Sequence, residues 1–210
     1  MAEYTLESLV GTILDLSQAD LSLQDGGTGG GSAITDVASV ASTVLAERRD
    51  SLGDTGIVIV DRIDHDFPSV AVCPTAVRQM IRHLLGIAVG SCERGNTVVL
   101  TSSRDDELVK ISVLDDGRAF GAEDIPDDLY NALDAVVLRA GDVSASEDRA
   151  RVVVTPMGLT LAVIHALLVR QGGMLEVANG PAGGKQVTLA FPLDDSAAAS
   201  ENAAEIEMAD

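Results

Sequence analysis

The chain has 210 residues, of which 46% are apolar and only 2% aromatic, and its 33 acidic and 14 basic side chains give a formal net charge of −19 at pH 7. This length allows one ordinary domain with arms, and the core of that domain must be aliphatic. A surface this negative repels phosphate backbones, and few aromatic rings are present to stack on bases. Non-specific binding of nucleic acid is therefore excluded.

Residues 1–24 predict an amphipathic helical arm. Its apolar side chains recur at spacings of three and four residues, and they include Leu6, Leu9, Val10 and Ile13. An isolated helix of this length is marginal in water unless its apolar stripe is buried. We therefore expect the stripe to form a homodimer rather than to pack back on its own body. The glycine-rich stretch 25–34 that follows predicts a flexible linker.

Cysteine usage and the N-terminal charges indicate a cytoplasmic protein. Cys73 and Cys92 are too few for a disulfide framework, and they form no C-x-x-C pair. Glu3 and Glu7 stand where a signal peptide carries basic residues. The longest apolar run, 157–169, contains a threonine and a histidine, so we predict no membrane span.

The folded body is predicted to extend over residues 35–193, and its first half contains two helices. Thr35 or Asp36 can cap the first helix, which has one apolar face. Two β-branched strands follow, and then a helix that begins just after Pro74. We place these three elements at 57–60, 70–72 and 75–90.

The second half of the body is predicted to contain a hairpin, two helices and two further strands. The elements in chain order are strands 97–102 and 108–114, helix 129–138, a polar lid over 141–151, helix 158–171, and strands 174–178 and 186–191. Helices against one face of a mostly antiparallel sheet define an α+β two-layer sandwich. The tail 194–210 has six acidic residues and no basic ones, which predicts disorder.

Several segments of the body resemble motifs of a single family. Residues 73–88, CPTAVRQMIRHLLGIA, are similar to the N box of the histidine-kinase catalytic domain. Residues 113–120, VLDDGRAF, resemble its first glycine box, and 156–162, PMGLTLA, resemble the second. Residues 171–177, QGGMLEV, resemble the strand after it, and the arm is similar to the end of a dimerisation and phosphotransfer helix. The resemblance implies a Bergerat-type fold that holds ATP between its helical layer and a mobile lid.

The resemblance also implies the residues of a nucleotide site. Asp115 corresponds to the carboxylate that accepts a hydrogen bond from the adenine amino group, and Gly117 to the turn that approaches the base. Gly158 corresponds to a glycine of the second box, where backbone N–H groups contact phosphates. Two alternatives remain open, because Asp-Asp-Gly is ordinary turn chemistry and a helix start also favours a small residue.

Other positions depart from the family pattern. The metal-ligating asparagine corresponds to Ile87, a hydrocarbon that cannot hold Mg²⁺, and the preceding asparagine corresponds to His83. Pro156, Thr160 and Ala119 replace glycines of the two boxes, and a proline has no N–H to donate. We therefore expect ATP binding to be weak and Mg²⁺ binding to be doubtful, with no protein ligand for the metal at position 87.

These observations predict a divergent histidine-kinase-like module of two-component signalling, a pseudokinase that acts through protein partners. The partner is expected to be a response-regulator receiver domain or a kinase. Self-phosphorylation is not predicted, because the three histidines, His65, His83 and His165, all lie in the catalytic-like body.

Three other functions remain open. An active catalytic fragment could phosphorylate a histidine supplied elsewhere, with Asp116 or Glu123 holding the metal and Arg118 replacing a lost phosphate-facing charge. A serine kinase of the anti-sigma type needs the same missing asparagine. A phosphotransfer protein needs a histidine on a dimerisation helix, which this chain could have only as part of a longer protein.

Overall fold

The computed structural model describes residues 34–52, 55–64, 66, 68–121, 124–125, 155–180 and 183–193. Three helices and seven strands lie in these ranges. In chain order they are β1 (Ile34–Thr35), α1 (Val37–Leu52), β2 (Val58–Arg62), β3 (Val70–Ala71), α2 (Pro74–Gly90), β4 (Thr97–Arg104), β5 (Leu108–Asp115), α3 (Pro156–Arg170), β6 (Met174–Asn179) and β7 (Lys185–Pro192).

Five of the strands form one mixed sheet in the order β2-β4-β5-β7-β6. Only β2 and β4 run parallel, and every other neighbouring pair is antiparallel. Side chains alternate across a strand, so Val109, Ile111 and Val113 of β5 all point to the same face. There they are buried in one aliphatic core to which all three helices contribute. The predicted α+β two-layer sandwich is confirmed.

Side-chain and proline signals account for the helix starts. Asp36 caps α1, because its Oδ1 accepts a hydrogen bond from the Ser39 N–H at 2.9 Å. Helix α2 begins at Pro74, one residue earlier than predicted, with Cys73 at the N-cap position. Proline suits the first helical turn because the N–H it lacks would have no helical partner there. Gly90, predicted to lie just beyond α2, is its last residue.

A second, two-stranded sheet was not predicted as a pair. Strands β1 and β3 are two residues each, and they run antiparallel. Thr35, one of the two predicted helix caps, lies in β1, where its hydroxyl donates to the carbonyl of Val72. Because a two-residue strand leaves almost no periodic signal, only the folded chain reveals this link between the starts of α1 and α2.

Several predicted segments lie outside the described residues. They are the arm 1–24, nearly all of the linker 25–34, the helix 129–138, the lid 141–151 and the tail 194–210. The domain boundaries therefore stay predictions, except that Ile34, assigned to the linker, begins β1. Within the described ranges, no helix combines the length and apolar character that crossing a membrane requires.

Candidate functional site

Asp115 is the last residue of β5, and its carboxylate points to the helical side of the sheet. The alternation of Val109, Ile111 and Val113 continues to this residue, so strand register alone turns the side chain inward. Only 2% of the side chain is exposed. A carboxylate buried this deeply needs partners that offset its loss of water.

Three donors reach the Oδ1 atom of Asp115. The N–H of Gly117 donates at 3.0 Å, and both the N–H and the Nζ of Lys185 lie at 3.4 Å. Burial raises the pKa of Asp115, while the charge of Lys185 and these hydrogen bonds oppose the rise. The carboxylate is therefore held by the protein itself.

Lys185 begins β7, and its side chain is only 1% exposed. The inward positions of β7 recur at every second residue, which places Lys185 in the same row as Val187 and Leu189. The ammonium also donates to the carbonyl of Arg118, and it lies 5.7 Å from the centre of the Phe120 ring. Burial lowers the pKa of Lys185, and the negative charge of Asp115 opposes that change.

The loop after β5 packs too closely for a side chain at Gly117. A Cβ built there would lie 2.3 Å from the carbonyl oxygen of Ser91, which real Cβ atoms do not approach so closely. Farther along, Asn179 of β6 accepts the Phe120 N–H at 2.8 Å. Arg118 forms an ion pair with Asp124 at 2.9 Å. The loop is thus fixed at several points around the Lys185 ammonium.

Ile87 lies on the buried face of α2 and is 2% exposed. It packs in the aliphatic core with Leu84, Leu85 and Ala88, and its carbonyl accepts the hydroxyl of Ser91 at 2.8 Å. Its side chain contains only carbon and hydrogen, so it cannot act as a metal ligand.

Helix α3 satisfies its first N–H groups locally. The hydroxyl of Thr155 accepts the Gly158 N–H at 3.0 Å, and the Thr155 carbonyl accepts the Leu159 N–H at 2.9 Å. Pro156, the first helical residue, has no N–H. Thr160, which replaces a glycine of the second box, is buried, and its hydroxyl donates to the carbonyl of Pro156 at 2.9 Å.

The two carboxylates considered as alternative metal ligands are not brought together. Asp116 is exposed, and its Oδ1 accepts the Thr97 N–H of β4 at 2.7 Å. Glu123 lies outside the described residues. Over the part of the chain that the structure describes, no three His, Cys, Asp or Glu side chains cluster as a metal site.

The structure thus unites two of the three residues predicted to bind a cofactor. Asp115 and Gly117 share a hydrogen bond, whereas Gly158 donates to Thr155. Sequence analysis missed Lys185, which lies between its two predicted strands 174–178 and 186–191. The inward alternation of β7, followed back from Phe191, was the signal that could have identified it.

The sequence of residues 73–195 matches the family of histidine kinase-, DNA gyrase B- and HSP90-like ATPases, over more than half of the chain. The chain therefore belongs to this family, and the predicted resemblance is confirmed. No curated protein matches the sequence.

Solved structures of histidine kinases have the same fold. The histidine kinase AdeS of Acinetobacter baumannii is 19% identical with a TM-score of 0.58, and the match covers 90% of this chain and 79% of that one. A mycobacterial sensor kinase, MprB, is 15% identical with a TM-score of 0.55 and coverages of 76% and 96%. Full-length ShkA, solved with AMPPNP, is 22% identical with a TM-score of 0.59, and this chain spans 35% of it.

Proposed function

We propose that the chain is a divergent histidine-kinase-like module of two-component signalling, impaired in binding Mg-ATP and acting through protein partners. ATP with Mg²⁺ is the ligand of the family. One observation carries the proposal: Ile87, where the motif resemblance expects a metal-ligating asparagine, is a hydrocarbon buried in the core. Mg²⁺ requires oxygen ligands, and this position supplies none.

The resemblance names two ends of the site, and the structure adds one residue to them. The base end consists of Asp115 and Gly117 together with Lys185, which contacts Asp115 in the structure. The phosphate end consists of Ile87 and the first turn of α3, residues 156–159. At the phosphate end, the N–H groups of a helix start usually bind anions. Here Pro156 has no N–H, and the Gly158 N–H bonds to the hydroxyl of Thr155, which supports weak phosphate binding.

The arginine predicted to replace a missing phosphate-facing charge already forms an ion pair within the chain. Arg118 follows the first glycine box directly, but its guanidinium pairs with the buried Asp124 at 2.9 Å. An arginine that turned toward a phosphate would break this ion pair with a buried carboxylate, which is costly even though Asp124 also accepts the Gly121 N–H at 3.0 Å. The charge pattern therefore favours a module that does not position a triphosphate.

Calorimetric titration of ATP, with and without Mg²⁺, tests the proposal directly. We expect weak binding that Mg²⁺ does not strengthen. Micromolar, Mg²⁺-dependent binding would contradict the proposal and favour the alternative, an active kinase fragment. That alternative further requires ATP hydrolysis that Asp115→Asn abolishes, while Asp106→Asn, an exposed carboxylate in the β4–β5 turn, leaves it unchanged.

Protein partners follow from the predicted arm, which lies outside the described residues. Its stripe of Leu6, Leu9, Val10 and Ile13 is expected to mediate a homodimer, and the helical region is expected to contact a receiver domain or a kinase. The variants Leu9→Asp and Ile13→Asp should reduce the sedimentation mass to that of a monomer, because a charge cannot be buried in an apolar seam. The control Ser8→Asp, beside the stripe, should keep the mass. An unchanged mass in all variants would discard this role of the arm.

A further inference from the structure

Lys185 carries a buried charge that no part of the motif resemblance assigns. Its ammonium contacts a carboxylate oxygen of Asp115, the carbonyl oxygen of Arg118 and, at 5.7 Å, the ring of Phe120. Each of these groups is a standard partner of a cation. Together they form a cation site inside the chain, and the chain's own side chain fills it.

The position of Lys185 is set by the sheet, not by a mobile loop. Its main-chain N–H faces Asp115 Oδ1 at 3.4 Å, and the preceding Gly184 packs directly on the Asp115 backbone. Because β5 and β7 are neighbouring antiparallel strands, the main chain of Lys185 is held beside the end of β5. Strand pairing therefore places the Lys185 side chain within reach of this carboxylate.

Stability alone does not account for a lysine at this position. A buried ion pair is often no more stabilising than hydrocarbon side chains of similar volume, because both charges lose their water. Val187, Leu189 and Phe191 fill the other inward positions of β7 with hydrocarbon. A charge in this row therefore points to an electrostatic role at Asp115.

We propose that Lys185 is an internal substitute for the adenine base, which closes the base end to adenine nucleotides. This inference rests on the proposed function, because the adenine role of Asp115 comes from the motif resemblance. An adenine amino group and an ammonium are both donors, so they compete for the same carboxylate. Only 2% of the Asp115 side chain is exposed, so the fold with Lys185 in place leaves a base almost no surface of this carboxylate to contact.

The block at the base end is independent of the phosphate end. A missing metal ligand weakens the binding of ATP but leaves that of adenosine unaffected, whereas Lys185 weakens the binding of both. Adenosine without metal therefore probes this inference alone, and ATP with Mg²⁺ probes the proposed function.

The test is calorimetric titration of adenosine and of ADP, without Mg²⁺, into the full chain and its variants. We expect the unmodified chain to bind neither ligand more tightly than in the millimolar range. Lys185→Met keeps the length of the side chain and removes its charge, and we expect it to bind at least tenfold more tightly than that. Adding Asp115→Asn to Lys185→Met should remove the gain. The matched control is Lys110→Met, because Lys110 lies toward the other end of β5 from Asp115 and pairs with Asp105 of the β4–β5 turn at 3.1 Å.

Two further measurements keep the inference testable if Lys185→Met does not fold. Lys185→Arg retains the charge, and we expect it to remain closed to adenosine. In the unmodified chain, the carboxyl carbon resonance of Asp115 should not move when adenosine is added. Adenosine binding by the unmodified chain with a shift of this resonance would overturn the inference, as would a folded Lys185→Met that binds no more tightly than the unmodified chain.

Discussion

The base end and the phosphate end differ in what has become of their polar groups. At the base end, the carboxylate of Asp115 is buried, and Lys185 donates to it inside the fold. At the phosphate end, Ile87 has no polar side-chain atom, and Thr155 caps the Gly158 N–H of α3. A buried carboxylate needs a partner inside the fold, whereas a helix start needs only a neighbouring cap. We therefore expect stability to depend more on the base end.

The largest expected effect comes from adding a side-chain atom where the main chains of β5 and β7 pack closely at the base end. In Gly184→Ala, a Cβ would lie 1.8 Å from the Asp115 carbonyl oxygen and 2.5 Å from its carbonyl carbon. Both atoms belong to the main chain of β5, so neither can move aside without separating β5 from β7. We expect a loss of more than about 3 kcal/mol in the free energy of unfolding, measured by urea denaturation.

A matched control for this variant lies in the same turn. The nearest atom to a Cβ at Gly180 is 3.6 Å away, which is ordinary van der Waals contact. Gly180→Ala should therefore cost less than about 1 kcal/mol. Equal stability of the two variants would contradict the close packing of Gly184 on the end of β5.

The second effect separates the charge of Lys185 from its volume. Lys185→Met leaves Asp115 buried without its counter-charge, and we expect a loss of about 3 kcal/mol at pH 7. The double variant Asp115→Asn/Lys185→Met removes both charges and should recover most of that loss. Urea denaturation of the unmodified chain, the two single variants Lys185→Met and Asp115→Asn, and the double variant gives the coupling between the two sites. Additive single effects would show that the pair contributes no coupling to stability.

The contrast between the two ends also explains how much the sequence could predict. Asp115 could be located because the alternation of β5 and the local motif VLDDG agree on one position. Its partner could not, because Lys185 is 70 residues away in sequence and meets Asp115 only through the register of β5 and β7. The predicted strand 186–191 also began one residue too late, since Lys185 already belongs to β7.

The phosphate end was easier to interpret for the opposite reason. At Ile87 and Pro156 the residue type alone limits what the position can bind, because a hydrocarbon cannot ligate Mg²⁺ and a proline cannot donate an N–H. The cap by Thr155 was missed, although a threonine directly before Pro156 is a recognised helix-start pattern. The predicted start at Gly158 placed Thr155 outside the helix.

The third effect tests the cap at the start of α3. Thr155→Ala removes the acceptor of the Gly158 N–H, and we expect a loss of about 1 kcal/mol in the free energy of unfolding. Thr155→Ser keeps the hydroxyl and should stay close to the unmodified chain. If alanine and serine were equivalent, the cap would contribute nothing, and the Gly158 N–H would be available to an anion.

The smallest effect is a pH dependence of stability that arises from Cys92, whose pKa responds to the charge of Asp115. Burial, followed by the charges of Asp115 and Asp116, raises the pKa of Cys92 from 9.0 to about 11. A pKa that is higher in the folded chain adds stability below pH 9, and this stability is lost as the pH rises from 9 through 11. The stability advantage of the unmodified chain over Cys92→Ala should therefore shrink by about 1 kcal/mol or less between pH 8 and pH 10. An advantage that is constant across this range would contradict the raised pKa of the Cys92 thiol.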